Sequence, residues 1–168
     1  MRVEIAEIES PIGEVIVACR GPAVVGLHFS DHNGEFANDL SRRFGEWEPS
    51  SGAHADEAAA RLRDYFAGDL RALDRLQVDP AGTPFQRRVW EQLRTIPAGR
   101  TASYRDIAVG IDAPTATRAV GAANGANPIG IIIPCHRVIG ANGTLTGYGG
   151  GLERKRWLLE HEGVLLRT

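Results

Sequence analysis

The sequence predicts an α/β protein in two parts: an N-terminal domain built on a small sheet and a C-terminal helical domain containing a helix-turn-helix. Three observations predict it. Runs that alternate with period two between turn signals fill the first thirty residues, helical spacing takes over after residue 83, and Asp79-Pro80-Ala81-Gly82 interrupts the chain between them. A length of 168 residues with 43% hydrophobic content suits one ordinary domain or two small ones with a packed core. The expected domains are residues 1–81 and 82–168.

Residues 2–9 alternate partially, Pro11-Ile12-Gly13 is a turn signal, residues 14–18 alternate again, and residues 23–29 follow Gly21-Pro22 as a third strand. Residues 55–66 place Ala58, Ala59, Leu62, Tyr65 and Phe66 on one helical face, and Gly68 stops that helix. Leu76 and Val78 suggest one more strand. From Thr83, Pro84 suits a first helical turn, and Phe85, Val89, Leu93 and Ile96 form a stripe that Pro97-Ala98-Gly99 ends. Ser103 with Asp106 three residues on resembles a capping box opening a helix through Val109. Asp112-Ala113-Pro114 is expected to start the next helix, which runs to Asn124-Gly125 and completes the helix-turn-helix. The last helix covers residues 153–162.

Charge separates the two halves. Residues 1–81 hold 8 Arg against 15 Asp and Glu, a net of −7, while residues 82–168 hold 10 Arg and one Lys against 6 acids, a net of +5. A basic half on a chain of net charge −2 suits a polyanionic partner, with a solvated basic face as the alternative. Two cysteines, Cys19 and Cys135, form no disulfide framework, so a reducing, cytoplasmic setting is expected. No apolar run approaches membrane-spanning length, and acidic residues near Met1 do not suit a signal peptide. A soluble protein without membrane partners is the expectation.

The chemistry centres on Cys135, which follows Ile131-Ile132-Ile133-Pro134 and precedes His136 and Arg137. A thiol attacks as thiolate, and a neighbouring imidazole is a common means of generating one. The structural alternative makes Cys135 a small buried hydrophobe and His136 a loop residue. Pro134 removes a ladder donor, so the apolar run is expected to end as a strand there and leave Cys135 and His136 in a turn. An imidazole used in this way needs an orienting carboxylate, for which Glu160 and Glu162 are both candidates. Gly147-Tyr148-Gly149-Gly150-Gly151 lacks the Lys-Ser/Thr ending of a phosphate-binding loop. Cys19 with His28, His32 and His54 has no recognised metal-ligand spacing, and no metal is expected.

Pro134-Cys135-His136-Arg137-Val138 resembles the active-site signature of the O6-alkylguanine-DNA alkyltransferases. Further matches follow in the family's order: Gly82-Thr83-Pro84-Phe85-Gln86, Val89-Trp90, Ser103-Tyr104, Arg118-Ala119-Val120-Gly121, Asn127-Pro128, Gly147-Tyr148, Gly150-Gly151-Leu152 and Trp157-Leu158-Leu159. They cover the C-terminal half strongly and the N-terminal half loosely. The resemblance implies an RNase H-like N-terminal domain and irreversible, single-turnover transfer of an alkyl group from O6 of guanine, or O4 of thymine, to Cys135. It implies no cofactor, double-stranded DNA as partner and a monomer.

The resemblance also implies roles for single residues. Arg118 would fill the space left by a flipped nucleotide, Tyr104 would crowd the target's 3′ phosphate, and Ala119 and Gly121 would let the DNA backbone approach. Extrusion is required because a stacked base cannot present its O6 atom to a protein thiol. Asn127 would bridge recognition helix and active-site segment, while Val138, Tyr148 and Gly149 would line the pocket. Some relatives carry serine at the position of Gly149, so a contact made by that side chain is missing here. His161-Glu162-Gly163 matches the family's His-Glu-Gly and selects Glu162 for a relay through His136 to Cys135, with water between imidazole and thiol; Arg137 is then structural. The alternative is a lesion-binding or regulatory helix-turn-helix protein without repair activity. Related lesion-binding proteins commonly carry tryptophan in place of the cysteine, and regulatory fusions add a four-cysteine zinc domain. A cysteine hydrolase is a third reading.

Overall fold

A computed structural model describes residues 1–166 apart from the side chains of His32 and Asn33, so His32, weighed above as a metal ligand, lies outside it. The chain divides into two compact units, Met1–Ala81 and Gly82–Thr168. In the first, β1 (Arg2–Ile8), β2 (Val15–Arg20) and β3 (Ala23–Phe29) form an antiparallel meander with a bulge at Ala18/Cys19. Two elements were not anticipated. Helix α1 (Asn33–Phe44) buries Phe36 and Leu40 against Val3, Ile16, Ala18 and Val25, and strand β4 (Glu48–Ser50) pairs parallel to β1, giving the order β3-β2-β1-β4. Helix α2 (Ala53–Phe66) belongs to the other face, where Glu4, opposite Cys19 in the β1–β2 register, accepts hydrogen bonds from the first-turn amides of His54 and Ala55. A carboxylate there complements unpaired amides and the positive end of the helix.

With a helix on each face, β2 is buried from Val15 to Cys19 instead of alternating between core and solvent, as the sequence suggests for residues 14–18. The strand expected at Leu76 and Val78 is reduced to an isolated bridge between Val78 and Val24.

The second unit begins with α3 (Pro84–Leu93), whose Thr83–Gln86 capping box satisfies two end groups reciprocally. It ends at Leu93, and Ile96 is buried in the following turn. Strand β5 (Ala102–Ser103) pairs parallel to β6 (Val138–Ile139). Helix α4 (Tyr104–Gly110) opens on the expected Ser103–Asp106 capping box. The next helix, α5 (Thr117–Gly125), starts later than Asp112. Asp112 takes a left-handed conformation, φ 58°, and its amide bonds Val109 while that of Ala113 bonds Ala108. These bonds form the helix-terminating Schellman motif, so Asp112 and Pro114 lie in the turn. Helix α6 (Leu152–His161) closes the unit. Among the described residues no helix is long and apolar enough to cross a membrane.

Candidate active site

The residues ahead of Cys135 do not form the expected strand. The amide of Ile132 bonds Gly130 and that of Ile133 bonds Ile129, which folds residues 129–133 into a buried turn with Ile131 at φ 70°. A β-branched residue there is strained and needs surrounding structure to hold it. Asn127 supplies part of that hold: its Nδ2 donates to Ile133 O at 2.8 Å and its Oδ1 accepts from Ile129 N at 2.9 Å. Pro134 sits at φ −82°, ψ 63°, with Cys135 N bonded to Ile133 O across it, an inverse γ-turn in which the proline's missing donor costs nothing. Cys135, His136 and Arg137 follow as one 3₁₀ turn, so the thiol and the imidazole do share a turn.

Below them lies the carboxylate. Glu162 is the residue capping the C-terminus of α6, fixed there because Gly163, φ 89°, bonds Glu160 O while Val164 bonds Leu159 O. The Pro97-Ala98-Gly99 turn approaches it closely, and a Cβ on Gly99 would lie 3.2 Å from Glu162 O. His136 Nε2 is 2.8 Å from Glu162 Oε2. Arg137 donates Nε to Oε1 at 2.8 Å and Nη2 to Oε2 at 3.0 Å, and its Nη1 reaches Ile96 O at 2.6 Å. Burial alone would push Glu162 up, but the bonds and charges of His136 and Arg137 hold it well below the usual carboxylate range. It is therefore a carboxylate, and His136 Nε2 carries the proton that it accepts. His136 Nδ1 is left as a buried lone pair with no protein hydrogen bond.

Burial dominates at both Cys135 and His136. It pushes the Cys135 thiol up, against a hydrogen bond from Asn127 and the charge of Lys155. It lowers His136 against the opposing pull of Glu162. Both directions favour a neutral thiol and a neutral imidazole in the resting site.

The other expected residues are spread around this centre. Arg118 and Ala119 are exposed in the first turn of α5, with Gly121 partly covered on the same helix. Tyr104 opens α4, its ring near Gly121 and its hydroxyl 2.6 Å from Thr146 Oγ1. Tyr148 is half-buried, with a hydroxyl near Gly130, and is pushed well above its ordinary value by burial and by Cys135. Val138 is fully buried in β6, whereas Gly149 is exposed with open space where a side chain would stand. No group of three His, Cys, Asp or Glu residues suited to a metal occurs among the described residues.

Residues 84–164 match the family model described as "6-O-methylguanine DNA methyltransferase, DNA binding domain". The chain is 48% identical over 164 residues to the methylated-DNA–protein-cysteine methyltransferase of Salmonella typhimurium, covering 95% of each, and 50% identical over 155 residues to that of Mycobacterium tuberculosis, covering 92% of this chain and 89% of the relative. The chain belongs to the methylated-DNA–protein-cysteine methyltransferase family. The M. tuberculosis O6-methylguanine methyltransferase crystal structure superposes with a TM-score of 0.79 at 46% identity, covering 95% of this chain and 92% of that one. A structure of the M. tuberculosis protein in complex with DNA gives 0.78 at 47% identity, with 96% and 92% covered.

Within this methyltransferase fold, Arg137, expected to be structural, shares the Glu162 carboxylate with His136, and sequence reasoning missed two further contributors. Lys155 is fully buried and donates to Val138 O at 2.6 Å and Thr146 O at 3.1 Å, and burial brings it down to about 8. A signal existed, since Lys155 stands three and four residues before the buried Leu158 and Leu159 and so on their helical face. Asn124, also buried, lies within 3.4 Å of Cys135 O through Nδ2, a relation no local pattern announces.

Proposed function

We propose that Cys135 removes the alkyl group from O6-alkylguanine, and from O4-alkylthymine, in double-stranded DNA in a single irreversible turnover without cofactor. The Cys135 proton passes to His136 Nδ1, through the water that the family resemblance puts between them. Sγ then attacks the alkyl carbon, the carbon–O6 bond breaks with its electron pair leaving on the base, and the base takes up one proton, balancing the one that His136 received, to restore guanine. A thioether remains on the protein and is a poor leaving group. Glu162 supports the step by fixing the Nε2–H tautomer and by offsetting the charge that forms on the ring.

The observation that carries this reading is the buried His136 ring bonded through Nε2 to an ionised Glu162, with Nδ1 left as an unpaired base next in chain to Cys135. In this reading Arg118 fills the gap in the duplex, Tyr104 crowds the 3′ phosphate, and Ala119 and Gly121 admit the backbone. Tyr148, Val138 and Gly149 shape the base pocket. A monomer suffices because every residue named comes from one chain, and two free thiols suit the cytoplasm.

The test is intact-protein mass after incubation with an O6-methylguanine duplex. One methyl on Cys135 and a plateau of one restored guanine per protein are expected. A plateau well above one would overturn the single-turnover reading, and unchanged mass with tight binding would favour a lesion-binding protein.

A further inference from the structure

We propose that Thr146 is a positioning residue for base extrusion: its hydroxyl holds Tyr104 as a stiff wedge beside the recognition helix. The inference rests on the extrusion role proposed above for Tyr104. A side chain that displaces a DNA backbone acts only while it resists rotating away, and a tyrosine has two free torsions. Here the far end of the ring is held: the hydroxyl is tied to Thr146 Oγ1 at 2.6 Å, while the ring runs alongside α5 with room at Gly121, where an added Cβ would make only ordinary contact at 3.8 and 3.9 Å.

Thr146 is itself anchored. Its carbonyl accepts from Lys155 Nζ at 3.1 Å, and the same buried ammonium donates to Val138 O at 2.6 Å, three residues after Cys135. The wedge and the nucleophile therefore hang from one buried lysine. Threonine's β-branch restricts χ1, which limits the positions its hydroxyl can take once the backbone is held. The bond joins α4 to the loop between β6 and α6, segments 42 residues apart in sequence.

The experiment compares Thr146→Val, Thr146→Ser, Tyr104→Phe and the Val/Phe double variant on an O6-methylguanine duplex and on free O6-benzylguanine, which needs no extrusion. Loss of one hydrogen bond predicts a roughly three- to tenfold slower duplex reaction for Thr146→Val and a smaller change on the free base. Thr146→Ser should recover most of the duplex rate, and the double variant should be no slower than Tyr104→Phe alone. Equal losses on both substrates, or losses that multiply in the double variant, would overturn the proposal by making Thr146 a support of the loop only. If Tyr104→Phe leaves the duplex rate unchanged, the extrusion role of the Tyr104 hydroxyl fails and this inference fails with it. A slow Tyr104→Phe beside an unaffected Thr146→Val removes the inference alone.

Discussion

His136 Nε2 and Glu162 Oε2 stand 2.8 Å apart with neither side chain exposed to solvent. The same carboxylate accepts two hydrogen bonds from Arg137, so one side chain both orients the imidazole and neutralises a buried guanidinium. The two duties cannot be separated by mutation at Glu162, and this shapes what its substitution does.

Glu162→Gln keeps volume but removes the charge, leaving Arg137 buried and uncompensated. A loss of about 3–5 kcal/mol in urea unfolding at neutral pH is expected, together with slower alkyl transfer on duplex and free base alike. Because the folded carboxyl lies below its ordinary value of 4.5, its contribution is complete above that value and fades as pH falls through the folded one. The variant should therefore differ most from the parent at neutral pH and converge with it in strong acid. Unfolding indistinguishable from the parent at pH 7 would show that Arg137 does not depend on Glu162.

The Cys135 thiol should resist alkylation by iodoacetamide at neutral pH and react faster only above its ordinary value of 9.0, because burial pushes it up. Cys19 is pushed up to about 12 and should stay silent over the same range. Peptide mapping across a pH series reads both. A rate already at plateau at pH 7 would mean a preformed thiolate, contrary to the neutral resting pair.

Arg118→Ala is expected to slow the duplex reaction on the order of tenfold or more, since extrusion costs a few kcal/mol, and to leave free O6-benzylguanine much less affected. Equal loss on both substrates would make Arg118 a pocket residue. DNA affinity should fall with rising salt, because the half from residue 82 onward carries a net +5.

Asn127→Ala removes both clamps on the turn that holds Ile131 at φ 70°. A destabilisation of about 1–3 kcal/mol per bond left unmade is expected, with slower transfer on both substrates while DNA affinity changes little. A full transfer rate at parental stability would show that the turn holds Cys135 without Asn127.

The sequence by itself determined the two-part α/β organisation, the helix start at Pro84, the capping box at Ser103, and the Cys135-His136 pair in a turn, because these depend on residues within a few positions of one another. It also contained helix α1, through Phe36 and Leu40 at helical spacing, though flanking polar residues masked the stripe. Tertiary structure decided the rest. Strand β4 is three residues long and exists by pairing with β1, so its own sequence carries little signal. The run of isoleucines before Pro134 has strong strand propensity, yet Asn127 folds it into a turn, since buried hydrogen bonds outweigh an intrinsic preference of about 1 kcal/mol. Only the fold shows that Arg137 claims the carboxylate chosen for His136. It alone sets the charge of the reacting pair, because desolvation depends on what surrounds a group, and here it outweighs the neighbour that sequence made visible.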